Sequence, residues 1–296
     1  MNGARASAKR SRGVRVVRAL LATVASLYLL ASAVIWFAQT SILYHPEKTL
    51  GSTPADLGLS FEPVRLALDG DQLAGWWVPS KIPHAPTLLY LHGNAGNVSA
   101  NVDHVRRLAG TGLSIFIFDY RGYGESTGGP PRKRLLTEDA ERAWAYLVRE
   151  RRIQPSEVVI YGHSLGGALG IDLASRHPDA GALITEGAFP SVLDFADGTI
   201  FRWLPLRLIV TERIDAGSRI GAVRAPKLLL HGEADTMIPV RLARRLYDAA
   251  ADPKQLVVIP GGSHDDSAEV NGAAYFAALN GFLRTYHLSP RGSDAR

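Results

Sequence analysis

The segment VVIYGHSLGGALG, residues 158–170, restricts the fold more than any other part of the chain. Its first four residues are apolar and typical of a buried strand, and the residues after Ser164 favour a helix of small side chains. Ser164 therefore lies at a sharp turn between a strand and a helix, with its hydroxyl projecting outward. Gly162 and Gly166 stand two residues to either side, where larger side chains would collide with such a turn.

A serine in this position suits a nucleophile, because the following helix directs free N–H groups and a positive dipole end towards the same place. Glycine makes up 29 of the 296 residues, so the motif G-x-S-x-G can also arise by chance. The interpretation of Ser164 as a nucleophile therefore requires a base, an acid and an oxyanion site elsewhere in the sequence.

The charge of the chain is unevenly distributed. The net charge of +5 comes from 33 basic and 28 acidic residues, and six of the basic residues precede residue 19: Arg5, Lys9, Arg10, Arg12, Arg15 and Arg18. Without these six, 27 basic residues face 28 acidic ones, a net charge of −1. A nucleic-acid-binding surface is therefore not indicated. The chain has no cysteine, which excludes disulfides, thiolate metal ligands and a cysteine nucleophile.

Residues 19–38, ALLATVASLYLLASAVIWFA, carry no charge and are long enough to cross a bilayer as a helix. The basic residues 1–18 predict a cytoplasmic tail, so the rest of the chain is expected outside the cytoplasm. A cleaved signal peptide is the alternative, with a cleavage site at Ala31-Ser32-Ala33. The apolar run continues beyond that site to Phe37, which favours an uncleaved transmembrane anchor.

After residue 38, the alternation of apolar strand segments with helical segments predicts an α/β fold with a mainly parallel sheet flanked by helices. Residues 39–59 are interpreted as a connector, residues 60–287 as the folded domain and residues 288–296 as a disordered tail. A hairpin around Asp69-Gly70 precedes strands that alternate with helices. The strands are predicted over residues 61–68, 72–78, 87–93, 113–120, 158–161, 182–186, 227–232 and 255–260. Besides the helix after Ser164, helices are predicted over residues 102–109, 138–149 (with Thr137 as N-cap), 241–249 and 273–286.

Polar residues gather where the predicted parallel strands end, which is where active sites of such sheets lie. The loops concerned contain HGNAGN (92–97), DYRGYGES (119–126), Ser164, Glu186, HGEADTMIP (231–239) and GGSHDD (261–266). His264 lies in a glycine-rich loop after the last strand and is the candidate base. His92 and His231 are expected to be hydrogen-bonded structural residues, and His163 lies on the wrong side of the turn to act as a base.

The motifs LHGNAGN, DYRGYGES, YGHSLGGALG, HGEADTMIP and GGSHDD resemble those of the α/β-hydrolase superfamily, over about residues 60–287. The order Ser164, Asp235, His264 is the Ser, Asp, His order of that superfamily. With its apolar N-terminal segment, the chain resembles membrane-anchored α/β-hydrolase-domain serine hydrolases. These include esterases, lysophospholipases and acyl-protein thioesterases, and similar chains are also described as serine aminopeptidase-like.

The resemblance implies a role for each site residue. Ser164 is expected to be the nucleophile, His264 the base and Asp235 the acid that orients the base. Glu186 is a rival for the last role, since some related enzymes place the acid at that strand end. The oxyanion hole is expected to be formed by the main-chain N–H groups of Asn94 and Leu165.

Other interpretations remain open. GNAGN could cradle a phosphate, but it lacks the G-K-[ST] ending of such loops. Residues 190–223 predict a small apolar cap that either packs on the sheet or forms an acyl-chain pocket or bilayer-facing surface. Its apolar residues, with the preceding phenylalanine, are Phe189, Phe195, Ile200, Phe201, Trp203, Leu204, Leu206 and Leu208.

The sequence therefore predicts a membrane-anchored hydrolase that cleaves a small or lipid-like acyl ester or thioester by a Ser-His-Asp mechanism, without a metal or cofactor. A catalytically inactive binding protein of the same fold and a peptidase are the alternatives.

Overall fold

The computed structural model describes residues 2–197 and 200–290. Residues 291–296, most of the predicted disordered tail, lie outside this range, as do residues 198 and 199 of the predicted cap and residue 1 of the basic tail. The remaining three residues of the predicted tail are described, and Leu288 among them is buried against the sheet.

Eight strands form one sheet. They are β2 (Glu62–Leu68), β3 (Asp71–Val78), β4 (Thr87–Leu91), β6 (Ser114–Phe118), β7 (Val158–His163), β8 (Ala182–Glu186), β9 (Lys227–Gly232) and β10 (Lys254–Ile259). Their order is β10-β9-β8-β7-β4-β6-β3-β2. All neighbours are parallel except β2 with β3 and β3 with β6. Two further short strands, β1 (His45–Pro46) and β5 (Ala95–Gly96), pair in parallel.

The helices are α1 (Asn2–Leu43), α2 (Val102–Ala109), α3 (Lys133–Ala145), α4 (Leu165–Arg176), α5 (Val192–Ala196), α6 (Leu206–Ile209), α7 (Val240–Ala249), α8 (Ser267–Val270) and α9 (Gly272–Thr285). The helices α2, α3, α4, α7 and α9 cover the two faces of the sheet. Among the described residues, 3₁₀ turns cover 54–57, 98–101, 155–157, 200–203 and 220–222, and a π turn extends α3 over Tyr146–Glu150.

The strands are apolar on both faces, as expected for parallel strands buried between two layers of helices. In β4, Leu89 and Leu91 pack in a core with α3, α4, α7 and the cap, whereas Leu88 and Tyr90 pack in a second core with α2 and α9. Complete burial of each such side chain stabilises the fold by about 1.5–3 kcal/mol relative to exposure. This confirms the predicted α/β architecture and brings the carboxyl ends of the parallel strands together at one edge.

The first helix is longer than the predicted membrane segment. α1 runs unbroken through residues 19–38 and ends at Leu43, within the predicted connector. Its stretch Gly13–Leu43 is long and apolar enough to cross a membrane, and its apolar side chains are mostly exposed. An exposed apolar surface of this size is unfavourable in water and suits a lipid environment.

One predicted helix boundary is wrong. Thr137 was expected to cap a helix beginning at residue 138, but α3 begins at Lys133 and Thr137 lies inside it. The two residues before the N-cap Arg132 are Pro130 and Pro131, and proline fixes an extended approach that ends where the helix begins. The helix start is therefore set by the prolines rather than by the threonine.

Candidate active site

Ser164 occupies the turn between β7 and α4 in a backbone conformation that is rare for residues other than glycine, with φ 52° and ψ −115°. Such a conformation is strained and persists only where the surroundings fix it. The main-chain N–H of Ser164 donates to the carbonyl of Glu186, at 2.8 Å, which holds the turn against β8. The side chain of Ser164 is thereby presented at the edge of the sheet.

The glycines around Ser164 are required by close backbone packing. A Cβ atom on Gly162 would lie 2.2 Å from the carbonyl oxygen of Gly166, and one on Gly166 would lie 1.9 Å from the carbonyl oxygen of Leu91. Both distances are shorter than any van der Waals contact. Substitution at either position would displace α4 from the sheet and Ser164 with it.

The structure brings the predicted nucleophile, base and acid together. His264 Nε2 lies 3.0 Å from Ser164 Oγ, and His264 Nδ1 lies 2.7 Å from Asp235 Oδ2. The other carboxylate oxygen, Oδ1, accepts the main-chain N–H groups of Met237 and Ile238. One oxygen of Asp235 is thus fixed by its own loop, and the other is left for the imidazole.

The electrostatics favour a charged Asp235 and a basic His264. Burial by itself would raise the pKa of Asp235, but the hydrogen bond to His264 and the N–H of Ile238 outweigh it and the pKa is lowered. Burial by itself would lower the pKa of His264, but the hydrogen bond and the charge of Asp235 outweigh it and the pKa is raised. The imidazole is therefore a better proton acceptor than a free histidine.

The two residues expected to supply the N–H groups of the oxyanion hole line one cavity together with Ser164. Asn94 follows Gly93, where a Cβ atom would lie 3.7 Å from the Cβ of Ser164, and Leu165 is the first residue of α4. Neither N–H donates to another group within the described part of the chain. These are the two groups predicted to form the oxyanion hole.

Glu186, the rival acid, has other partners. Its Oε2 accepts hydrogen bonds from the hydroxyls of Tyr161 and Tyr275, the latter at 2.7 Å, and lies 3.6 Å from His104 Nε2. Among the described residues no hydrogen bond joins it to His264. The structure therefore places Asp235, and not Glu186, next to the base.

Three other histidines at this edge, His92, His163 and His231, each place a ring nitrogen within hydrogen-bond distance of a main-chain carbonyl. His92 Nδ1 lies 2.8 Å from the Gly93 carbonyl and His231 Nε2 lies 2.6 Å from the Ile238 carbonyl. Burial lowers the pKa of His92 to about 4, so its ring is neutral at neutral pH. His163 Nε2 lies 3.0 Å from the main-chain oxygen of His264 and so supports the loop of the base.

One group of side chains has the spacing of metal ligands. The ligand atoms of His163, His264 and Asp265 lie within 4.8 Å of one another. Both ring nitrogens of His264 already face Ser164 and Asp235. A metal bound there would have to break one of these two contacts, so this arrangement fits a proton relay better than a metal centre.

Two cavities meet at Ser164, one almost wholly apolar and one with a mixed polar and apolar lining. The first, of about 470 Å³, is almost wholly apolar, and the cap lines it with residues that include Phe189, Val192 and Leu206. The second, of about 410 Å³, is lined by polar groups that include His104, His163 and Asp265. The cap therefore packs on the domain and also lines a cavity at Ser164, and its role as an acyl-chain pocket stays a prediction.

Sequence reasoning missed the contribution of α1 to this site. Ile35, Gln39, Ile42 and Leu43 line the apolar cavity. Their spacing of i, i+4, i+7 and i+8 marks one face of a helix, a signal that is present in the sequence. The signal is easily missed for two reasons. Gln39 interrupts the apolar pattern of this face, and a membrane segment already accounts for the uncharged residues of the helix.

Comparisons with known proteins agree with this geometry. A family model described as the alpha/beta hydrolase fold matches residues 86–208. The alpha/beta hydrolase domain-containing protein WAV2 of Arabidopsis thaliana is 31% identical over 307 residues, covering 95% of this chain and 99% of WAV2. The chain belongs to the α/β-hydrolase family.

Two further proteins are similar to this chain over part of its length or in its fold. The lysophosphatidylserine lipase ABHD12 of Danio rerio is 34% identical over 201 residues, which cover 62% of this chain and 52% of ABHD12. The structure of the Pyrococcus furiosus esterase Pf2001 superposes with a TM-score of 0.68 at 20% identity, covering 82% of this chain and 98% of the esterase. The structural likeness shows the fold, and membership of the α/β-hydrolase family supports hydrolase activity for this chain.

Proposed function

We propose that the protein is a membrane-anchored serine hydrolase that cleaves carboxylic esters or thioesters through an acyl-enzyme. The observation that carries this proposal is the continuous line of hydrogen bonds from Ser164 through His264 to Asp235. At its Ser164 end lie an apolar cavity of about 470 Å³, a volume suited to an acyl chain, and the main-chain N–H groups of Asn94 and Leu165, which have no acceptor among the described residues.

In the first half of the reaction Ser164 Oγ attacks the acyl carbonyl carbon while its proton passes to His264 Nε2. Asp235 accepts a hydrogen bond from the Nδ1–H of His264, which fixes the tautomer and stabilises the imidazolium. The carbonyl oxygen becomes an oxyanion that the N–H groups of Asn94 and Leu165 stabilise. The bond to the leaving alcohol or thiol then breaks, and His264 returns the proton to it.

In the second half a water molecule attacks the acyl-enzyme and gives its proton to His264. The second tetrahedral intermediate collapses, the acid product leaves, and the proton returns to Ser164 Oγ. The raised pKa of His264 suits both halves, because the same nitrogen accepts a proton and then donates it.

The helix α1 is proposed to anchor the domain in a membrane. Its apolar stretch is exposed along most of its length, and no break interrupts it at Ala31–Ala33, the candidate cleavage site. The basic residues before Ala19 favour an N-terminus in the cytoplasm and a hydrolase domain outside it. Protease added outside intact cells, or outside spheroplasts, should then digest the domain, whereas protection until lysis would reverse the orientation.

Replacement of the nucleophile tests the mechanism. Ser164→Ala should lower the turnover of an activated ester by at least about 10³-fold, because no other group can form the acyl-enzyme. Ser175→Ala, eleven residues after Ser164, removes a hydroxyl whose hydrogen bond among the described residues is to the Asp172 carbonyl of the same helix, and it serves as the matched control. Wild-type turnover in Ser164→Ala would reject the proposed mechanism, whereas absence of turnover in the wild-type protein would favour a binding protein of this fold.

A further inference from the structure

The last turns of α1 form a wall of the apolar cavity at Ser164. Ile35, Gln39 and Leu43 face the cavity and Ile42 lies at its rim. The opposite face of the same turns carries Val34, 54% exposed, and Phe37, 83% exposed. One helix face therefore closes the cavity, while the other remains available for lipid.

Polar contacts fix this helix against the cap. Gln39 Oε1 accepts the main-chain N–H groups of Thr211, at 2.8 Å, and Glu212, at 3.1 Å, and the amide is buried. The hydroxyl of Tyr44 donates to Glu212 Oε2 at 3.0 Å. Hydrogen bonds between buried groups require a particular geometry, so the helix has a defined position on the domain and not merely an apolar contact.

The same helix end also holds the loop of the predicted oxyanion hole. The carbonyl of Leu43 accepts the side-chain amide of Asn94 at 3.0 Å, and the carbonyl of Asn94 accepts the N–H of His45 at 2.9 Å. Beyond these contacts His45–Pro46 pairs with Ala95–Gly96. The position of α1 is thus coupled to the position of the N–H group of Asn94.

With α1 as the proposed membrane anchor, the wall of the cavity lies at the depth of a bilayer leaflet. An α-helix rises ~1.5 Å per residue, so Ile35 lies about 24 Å along the helix from Ala19, where the uncharged segment begins. The hydrocarbon core of a bilayer is about 30 Å thick. The turns around Ile35 therefore overlap with the leaflet on the side of the hydrolase domain.

The cap beside α1 has the composition of a surface at a membrane interface. α6 packs against α1, and Trp203 and Leu208 of this region are exposed. Arg202 stacks over the ring of Trp203 and Arg207 adjoins Leu208. Exposed tryptophan with arginine is typical of the boundary between lipid and water.

We propose that α1 is part of the acyl-binding site as well as the anchor, and that Ser164 takes its substrate from the adjoining leaflet. This inference rests on the proposed function. The substrate class is a membrane-resident amphiphile with a long acyl chain in ester or thioester linkage to a polar group. The chain lies against the Ile35 face of α1 in the apolar cavity, and the polar leaving group faces the cavity lined by His104 and His163.

The test compares neighbouring positions of α1 in the full-length protein, reconstituted in vesicles with either p-nitrophenyl laurate or p-nitrophenyl butyrate. Ile35→Trp fills the cavity and should lower kcat/KM for laurate by at least about 10-fold while butyrate turnover changes little. Val34→Trp introduces the same side chain on the lipid-facing side and should leave both activities unchanged. Ile35→Ala only removes atoms and should lower kcat/KM for laurate more than for butyrate. It replaces Ile35→Trp in the test if the tryptophan variant misfolds.

The outcomes separate this inference from the proposed function. Absence of turnover of either ester by the wild-type protein would reject the proposed function itself. If the wild type is active but both Ile35 variants keep the wild-type ratio of laurate to butyrate turnover, α1 is an anchor only and the inference is overturned. An equal loss with Val34→Trp and Ile35→Trp would likewise overturn it, because the effect would not follow the cavity face.

Discussion

Two buried carboxylates, Glu186 and Asp235, stand near the ends of the neighbouring strands β8 and β9, but their surroundings differ. Glu186 accepts hydrogen bonds from the hydroxyls of Tyr161 and Tyr275. Asp235 accepts two main-chain N–H groups on one oxygen and His264 on the other. Burial and strand-end position are shared, so the partners of each carboxylate decide its role.

The two environments also stabilise charge in different ways. Burial by itself would raise the pKa of Glu186, but the charges of His104 and His163 and the tyrosine hydroxyls outweigh it and lower the pKa. The tyrosine contacts join the end of β8 to α9 and so have a structural purpose. Asp235 instead directs its unshared oxygen to a group that changes protonation during the proposed reaction.

The largest expected difference between the two carboxylates is in turnover. Asp235→Asn should lower turnover of an activated ester near pH 7 by on the order of 10²–10⁴-fold, because the amide holds the imidazole in the wrong tautomer. Glu186→Gln should change it little. Steady-state kinetics of both folded variants on one ester decide the matter. If Glu186→Gln loses turnover while Asp235→Asn keeps nearly normal turnover, Glu186 and not Asp235 is the acid that orients His264.

The next expected difference is in pH dependence. His264 must be neutral to accept a proton, and its pKa is raised in the folded protein, so wild-type kcat/KM should fall as the pH drops through a value above the ordinary pKa of about 6.5. In Asp235→Asn the acidic limb of the pH profile of the residual activity should move to lower pH, because the charge that raises the pKa of His264 is gone. Glu186→Gln should shift the limb less, because Asp235 and not Glu186 is hydrogen-bonded to His264 in the described part of the chain. An unmoved limb in Asp235→Asn would contradict the coupling.

The smallest expected difference is in stability. Glu186→Gln weakens charged hydrogen bonds to two buried tyrosines, which should cost about 1–3 kcal/mol and lower Tm by several degrees. Thermal unfolding of the inactive but folded Ser164→Ala protein, with and without Glu186→Gln, measures this loss independently of catalysis. If the Tm is unchanged, the tyrosine contacts do not stabilise the fold, and the structural role assigned to Glu186 is wrong.

The sheet could be predicted closely from the sequence because its strands are short apolar runs separated by clear turn residues. The strand Lys227–Gly232 and the strand Ala182–Glu186 have the predicted bounds, and the turn at Ser164 follows from its flanking glycines. The order of polar residues along the chain placed the candidate nucleophile, base and acid at one edge.

The choice of acid could not be made from local sequence alone, since it depends on long-range contacts. Tyr275, which engages Glu186, is 89 residues away from it in the chain, and His264 is 29 residues from Asp235. The contribution of α1 to the cavity wall could not be predicted from the sequence for a similar reason. A helix face with Ile35, Gln39 and Leu43 becomes recognisable as part of a cavity only when the cap and the Asn94 loop are in place.

The most direct test of the central claim is the location of a fluorophosphonate adduct on the intact, full-length protein. A serine with an adjacent base reacts with such a probe near neutral pH, whereas an ordinary hydroxyl does not. Peptide mass spectrometry should find the adduct on Ser164, and the Ser164→Ala protein should remain unlabelled. A folded wild-type protein without any adduct, or an adduct on a different serine, would contradict the account.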